Sequence, residues 1–233
     1  MLLSCLCYPV FMKQAPPTSE VRLLFEGSKL ENIGKGEVFY TSEEPDRLMV
    51  VISGFAKQYF IAHEGSIGVQ AIYGTDDILP ITVVHKQLFN IVVNVGPEVY
   101  YYEAMTDLTL CSIDASNLRQ RVEAHPVLYR SLLQSSAMRL RSNMQFMENL
   151  RLHGAYNKTA HQLAYLGYQF GKNISEGIEI QVPLIHQDIA DIIGTTRETV
   201  TTSIIKLRDK SLIRTNRHIL ILDYDRLVCE AYA

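Results

Sequence analysis

Arg197, Glu198, Thr201 and Thr202 are the residues whose types and spacing suit a definite chemistry in this chain of 233 residues. They fall together near the start of what reads as a helix, and the surface such a set fits is the major groove of double-stranded DNA. An arginine fork grips guanine O6 and N7, a glutamate accepts from cytosine N4, and threonine methyls meet thymine methyls. No catalytic arrangement competes with this reading. The chain has no G-x-S-x-G, no phosphate loop and no H-E-x-x-H. The adjacent carboxylates Asp76 and Asp77 would point to opposite faces of a strand, so the chain reads as a non-enzyme.

Two short helices joined by a tight turn must position these residues, over HQDIADIIGTTRETVTTSIIKLRDKSLI from His186 to Ile213. Ile189, Ile192 and Ile193 recur at i, i+3 and i+4 and give the first helix one apolar face. Gly194 supplies the left-handed residue that lets a helix stop abruptly. Thr196 is a natural N-cap for the second helix, which buries Val200, Ile204 and Leu207 and leaves Arg197, Glu198, Thr201, Thr202 and Ser203 outside. On spacing alone, an ordinary helical hairpin with a solvated polar face fits equally well.

Gly194, Thr196, Arg197, Glu198, Thr199 and Val200 resemble the G-x-[ST]-R-E-T-V core of the Crp/Fnr transcription regulators, and the likeness runs on through Lys206, Leu207 and Leu212 to Ile213. The resemblance implies a winged helix-turn-helix. Its wing would be a hairpin of Leu212 to Arg214 and Ile219 to Leu222, turning at Thr215 to His218. It implies phosphate contacts at His186, Gln187, Thr196 and Thr199, base reading at Arg197 and Glu198, and RNA polymerase as a partner through the loop Lys172 to Gly177. Two departures stand out. Ile185 sits where a hydroxyl or acidic cap is expected, leaving His186 or Gln187 to serve. Thr202 stands where many relatives carry a base-reading arginine.

The first half reads as all-β. Runs rich in strand formers recur at Val38 to Tyr40, Leu48 to Ile52, Ala56 to Ile61, Ile67 to Ile72, Ile81 to Val84, Phe89 to Val95 and Leu108 to Ile113, punctuated by glycines and prolines. That density points to a barrel or jelly roll, and Lys35 to Phe60 resembles part of the same family's cyclic-nucleotide-binding domain, with Gly54 at its glycine turn. Between the halves, Pro126 to about Leu152 has no internal Gly or Pro. Leu133, Ala137, Leu140, Met144 and Met147 alternate at spacings of four and three, the seam of a coiled coil, which implies a homodimer. The alternative is that this stripe packs on its own barrel. The expected fold is α+β: an N-terminal extension (1–20), a sensor β-barrel or jelly roll (21–125), a dimerisation helix and hinge at His153 and Gly154 (126–153), and a winged helix-turn-helix domain (154–233).

Net charge is −3, yet from His186 to Ile219 six basic residues (Arg197, Lys206, Arg208, Lys210, Arg214, Arg217) face four acidic ones (Asp188, Asp191, Glu198, Asp209), a local +2. So weak a basic footprint suits a few phosphate contacts backed by dimerisation. No apolar run approaches the ~18 residues of a membrane span. The opening MLLSCLCYPVFM lacks the basic start of an export signal, so a cytoplasmic protein is expected.

No cofactor is expected. An iron–sulfur cluster would have to recruit Cys229, beyond the DNA-binding helices, to join Cys5, Cys7 and Cys111. A redox pair of Cys5 or Cys7 with Cys111 is no more favoured than reduced thiols. His63 and His85 are lone histidines, weak candidates for haem. Tyr59, Tyr73 and Tyr100 to Tyr102 fit packing better than a ligand pocket. The effector is therefore unknown, and the competing reading is a ligand- or redox-sensing module acting through a protein partner and not DNA. Arg197 and Glu198 argue against it.

By the resemblance, a cyclic nucleotide would need a Gly-Glu pair for its ribose and an Arg-Ser or Arg-Thr pair for its phosphate. The corresponding segment, TDDILPITVVHKQLFNIVVNV from Thr75 to Val95, has neither; Lys86 is its only Lys or Arg, and Pro80 sits close to where the glycine would fall. A buried phosphate diester without a bidentate cation loses several kcal/mol, about a thousandfold in affinity. Calorimetry should accordingly detect no heat for cyclic AMP or cyclic GMP at micromolar concentrations. A micromolar dissociation constant would show a rebuilt phosphate site.

Overall fold

The computed structural model describes residues 19–42, 46–91 and 99–233. Cys5, Cys7, the N-terminal extension up to residue 18, and the expected strand of Phe89 to Val95 beyond Ile91 lie outside the described residues. The chain divides into two compact units, with the division between Met144 and Gln145.

In the first unit a 3-10 helix (Ser19–Phe25) precedes strands β1 (Leu30–Ile33), β2 (Val38–Thr41), β3 (Arg47–Ser53), β4 (Ala56–Ile61), β5 (Ile67–Tyr73) and β6 (Ile78–Leu79). Helix α1 (Ile81–Phe89), strands β7 (Tyr101–Ala104) and β8 (Leu108–Asp114), and helices α2 (Leu118–Ala124) and α3 (Val127–Arg151) follow. The strands pair antiparallel in the orders β1-β8-β3-β6 and β2-β7-β4-β5. The result is jelly-roll-like and is not a closed barrel. Alternation along β3 explains its unbroken apolar run. Met49 and Val51 face the second sheet with Tyr40, Tyr73, Tyr102 and Leu110. Leu48 and Val50 face the 3-10 helix and α1, α2 and α3 through Val21, Leu24, Val84, Leu118 and Leu132.

The run Ile81 to Val84 is a helix and not the expected strand. Pro80, extended at φ −78°, caps the start of α1 and Asn90, left-handed at φ 54°, ends it. Ile81 and Val84 bury one face against the sheet with Leu88 packed behind them. Tertiary burial there outweighs the strand preference of branched side chains. Lys86 is exposed on this helix, and Arg139 of α3 lies 4.3 Å from the buried Tyr73 ring. Tyr73 and Tyr102 are core residues, and Tyr59 stacks on Tyr101.

Helix α3 buries Leu128 and Leu132 in the first unit. Leu133, Leu140, Met144 and Met147 stay 57% to 66% exposed, and Ala137 is exposed too. The stripe is therefore not packed on its own sheets.

The second unit holds α4 (Ala155–Phe170), β9 (Gly171–Ile174), β10 (Gly177–Ile180), α5 (His186–Ile193), α6 (Arg197–Asp209), β11 (Ile213–Thr215), β12 (Ile219–Ile221) and α7 (Tyr224–Ala231). Its sheet runs β11-β12-β10-β9. The segment read as a loop, Lys172 to Gly177, is largely a β-hairpin, β9 pairing with β10 around Ser175 and Glu176. Gly167 lets α4 lie close on β12, because a Cβ there would run into Ile221.

The last turns of α3 are tied into this unit by buried polar groups. Asn149, 2% exposed, donates from Nδ2 to Lys158 O at 2.9 Å and meets His161 Nδ1 at 3.1 Å. The carbonyl fixes the amide orientation, so His161 Nδ1 accepts and its proton sits on Nε2. Tyr232 donates to Glu148 at 2.7 Å. Thus α3 breaks before Gly154 as expected, but residues on both sides of the break are bonded to each other. Burial pushes the His161 pKa below its ordinary 6.5, with Glu148 opposing. An unfolded chain then binds a proton that the folded one refuses, so stability is full above pH 6.5 and declines as pH falls below it. Thermal melts should show that decline, and His161→Gln, which keeps an acceptor for Asn149, should flatten it. An unchanged slope in the variant would remove His161 from the account.

Candidate nucleic-acid interface

Helices α5 and α6 are held by their apolar stripes. Ile189, Ile192 and Ile193 are buried from α5, and Val200, Ile204 and Leu207 from α6. Gly194 takes φ 66° and ψ 52° at the end of α5, a left-handed conformation that favours glycine. Thr196 accepts from Thr199 N at 3.3 Å as N-cap of α6, and the two hydroxyls lie 2.9 Å apart. Ahead of α5, neither His186 nor Gln187 supplies the cap. Asp188 does part of that work, accepting from Ile185 N at 2.9 Å, because an isoleucine has no acceptor to offer.

Arg197, Glu198 and Thr202 are exposed together on the first turns of α6. Neither Arg197 nor Glu198 makes a side-chain hydrogen bond or ion pair among the described residues. Ser203, expected outside, is buried at 4% exposure and donates to Thr199 O at 3.0 Å. Thr201 and Thr202 also bond back along the helix, to Arg197 O at 2.9 Å and Glu198 O at 3.1 Å. Their hydroxyl protons are committed, so each hydroxyl can accept but not donate, and the methyl is left to make apolar contact. His186 is half-buried, with Nδ1 2.8 Å from Thr201 Oγ1. Gln187 donates to Asp191 at 2.7 Å, which leaves part of its amide uncommitted.

The hairpin of β11 and β12 pairs Ile213 with Ile221 and Thr215 with Ile219, and Leu222 N to Leu212 O at 2.8 Å extends it. Its tip exposes Asn216 and Arg217. The local charge is less positive than the sequence count suggests. Arg214 is ion-paired with Glu176 of the β9–β10 turn, and Lys210 with Glu230 of α7 at 2.6 Å. Arg197, Lys206, Arg208 and Arg217 remain as exposed cations. Arg217 is exposed at the tip of the expected wing turn, a placement that a count of charge does not single out.

The remaining sensor candidates lie in unlike surroundings. Cys111 is buried in β8, where burial pushes its thiol pKa up, while Cys229 is exposed on α7. His85 Nε2 lies 3.3 Å from Ser136 Oγ, and burial lowers its pKa. Asp76 pairs with Arg22 at 2.6 Å, whereas Asp77 accepts from Gly74 N; among the described residues the two carboxylates share no hydrogen-bond partner. No described helix is long and apolar enough to cross a membrane.

Residues 157–229 match the family model described as a Crp-like helix-turn-helix domain. The chain is 27% identical over 195 residues to a CRP-like cAMP-activated global transcriptional regulator of Mycobacterium tuberculosis, covering 83% of this chain and 84% of that one. It is 24% identical to a global nitrogen regulator of a Nostoc species, covering 68% and 73%. Among solved structures it superimposes on a mutant of CooA from Carboxydothermus hydrogenoformans with a TM-score of 0.70 at 20% identity, over 92% of this chain and 90% of that one. FixK2 from Bradyrhizobium japonicum gives 0.68 at 20% identity, over 86% and 95%.

If Arg197 grips a guanine, Arg197→Ala should weaken binding to the preferred duplex by about 1 to 3 kcal/mol and flatten preference at one base pair of each half-site. Competition with single-base variants of the site checks it. An equal loss on every sequence would assign Arg197 to phosphate alone.

Proposed function

We infer, from the premise that this chain belongs to the Crp/Fnr family of transcription regulators, that it binds an inverted-repeat DNA operator as a homodimer and regulates transcription there. The observation that carries this reading is the start of α6. An arginine and a glutamate without side-chain partners among the described residues stand beside two threonines whose hydroxyls are already bonded, on a helix fixed by its opposite face. Arg197 and Glu198 read base edges, and Thr201 and Thr202 offer methyls. His186, Gln187, Thr196 and Thr199 set register on phosphates, with Arg217 reaching the backbone from the wing.

A cytoplasmic site of action follows from a chromosomal target. RNA polymerase is a partner at the β9–β10 hairpin. The effector is unknown and is not cyclic AMP: no arginine lies between Thr75 and Val95, and Lys86 is exposed on α1. Random-sequence selection followed by sequencing tests the whole reading. Recovery of an inverted repeat with half-site centres about one helical turn apart supports it, and recovery of no preferred sequence overturns it.

The seam of Leu133, Ala137, Leu140, Met144 and Met147 supplies the two-fold contact, since a single chain leaves it wet. Placing Asp at both Leu140 and Met144 should give monomers in sedimentation and a loss of about 100-fold or more in operator affinity, because each half-site is then bound alone. Dimers persisting at nanomolar protein would move the interface elsewhere.

A further inference from the structure

A dimer meets two half-sites at once only if something fixes how far apart, and how turned, its two reading helices are held. Met147, the last residue of the seam, is exposed and lies in the same compact unit as α6. Asn149 follows two residues later, about 200° further round the helix, and is 2% exposed. Its side chain reaches past the break at residues 152–154 to the start of α4. The one Nδ2 group donates to Lys158 O at 2.9 Å and meets His161 Nδ1 at 3.1 Å. Those acceptors lie about one turn apart along α4, so the two bonds constrain distance and rotation together. Beside them Glu148 accepts from Tyr232 at 2.7 Å, and the Tyr232 ring stands edge-on to His161. From there apolar packing takes over, with Leu163, Ala164 and Leu166 buried along α4, which lies against α5, α6 and α7.

We propose that Asn149 is a positioning residue for operator recognition: it fixes the exit of α4 from the seam-bearing turn of α3, and through α4 the spacer length that separates the two half-sites. This rests on the reading of the chain as a homodimeric DNA-binding regulator and deepens it by naming what sets the half-site separation. An apolar side chain at this position would hold the junction by contact that has no direction. A buried amide is costly unless its partners are met, and once they are met it specifies one orientation. A change of one base pair in the spacer moves a half-site by about 3.4 Å and turns it by about 34°. Reading helices held through a directional junction cannot follow that shift, so one half-site is lost, and with it the gain from binding both. Helices held by apolar contact alone can rock to follow it.

The test is fluorescence anisotropy of the full-length protein on the duplex recovered by selection, on the same duplex with its spacer one base pair longer or shorter, and on single-base variants of one half-site. Wild type should lose about tenfold or more in affinity when the spacer changes, and Asn149→Leu about threefold or less. Base preference within a half-site should be the same in both. His161→Gln, which still offers Asn149 an acceptor, should keep the wild-type spacer ratio. A wild type indifferent to the spacer overturns the proposal, as does an Asn149→Leu variant that keeps the wild-type ratio or that loses base preference in step with it. So does a His161→Gln variant that behaves like Asn149→Leu. If Asn149→Leu does not fold, by circular dichroism, Asn149→Ala, which admits water to the vacated acceptors, is read in the same way. Selection that returns no preferred sequence, or a single half-site, overturns the homodimeric DNA-binding reading and this inference with it; indifference to the spacer of a recovered inverted repeat overturns the inference alone.

Discussion

A helix can read a groove only if one of its faces is fixed firmly enough to leave the other idle, and the packing of α6 is the contact on which that condition rests. Val200, Ile204 and Leu207 are almost fully buried. Apolar surface taken out of water, worth about 25 cal/mol for each Å², holds the helix, with the His186–Thr201 and Lys210–Glu230 contacts beside it. Everything at the interface depends on that division of labour. Because apolar burial does the holding, Arg197 and Glu198 need make no bond at home. Because Gly194 turns the chain sharply, the stripe of α5 meets the stripe of α6 at all.

The same economy of exposed polar groups appears around the stripe. Thr201, Thr202 and Ser203 send their hydroxyls back to carbonyls one turn earlier. Lys210 and Arg214, which look like free cations in the sequence, are matched by Glu230 and Glu176 from other elements of the unit. The binding face is thus defined as much by which charges are silenced as by which are displayed. In the first unit, Arg139 shows the reverse case. A cation absent from the segment where a phosphate site was sought reaches the tyrosine core from α3.

The sequence made the second unit more legible than the first. A glycine between two isoleucine-rich turns, followed by a capping threonine, allows one local solution, and α5 and α6 begin and end close to where periodicity puts them. The extent of β4 could likewise be read from its residues, and α3 from its unbroken run. Failures came where distant burial decides. Ile81 to Val84 has the branched residues of a strand, and only the sheet beneath reveals a helix. Short β6, with two residues, is too brief for any periodicity to register. In the site, exposure of Arg197 and Glu198 followed from spacing. The carbonyl acceptors that occupy Thr201 and Thr202, the burial of Ser203, and the pairing of Arg214 depend on rotamers and neighbours that no one-dimensional pattern encodes.

The back-bonded threonines of α6 have a thermodynamic consequence. A hydroxyl whose proton already has its partner need not find a new acceptor in the groove, so on the proposed reading Thr202 would meet a base mainly through its methyl. Recognition by methyl against methyl is non-directional, is entropic near room temperature, and weakens on cooling. Arginine on guanine is directional, and fades with added salt. On the proposed reading, one helix would meet neighbouring base pairs through two forces with different sensitivities. Its sequence preference would then not be a fixed code: the weighting of thymine against guanine would shift with the temperature and ionic strength of the cell.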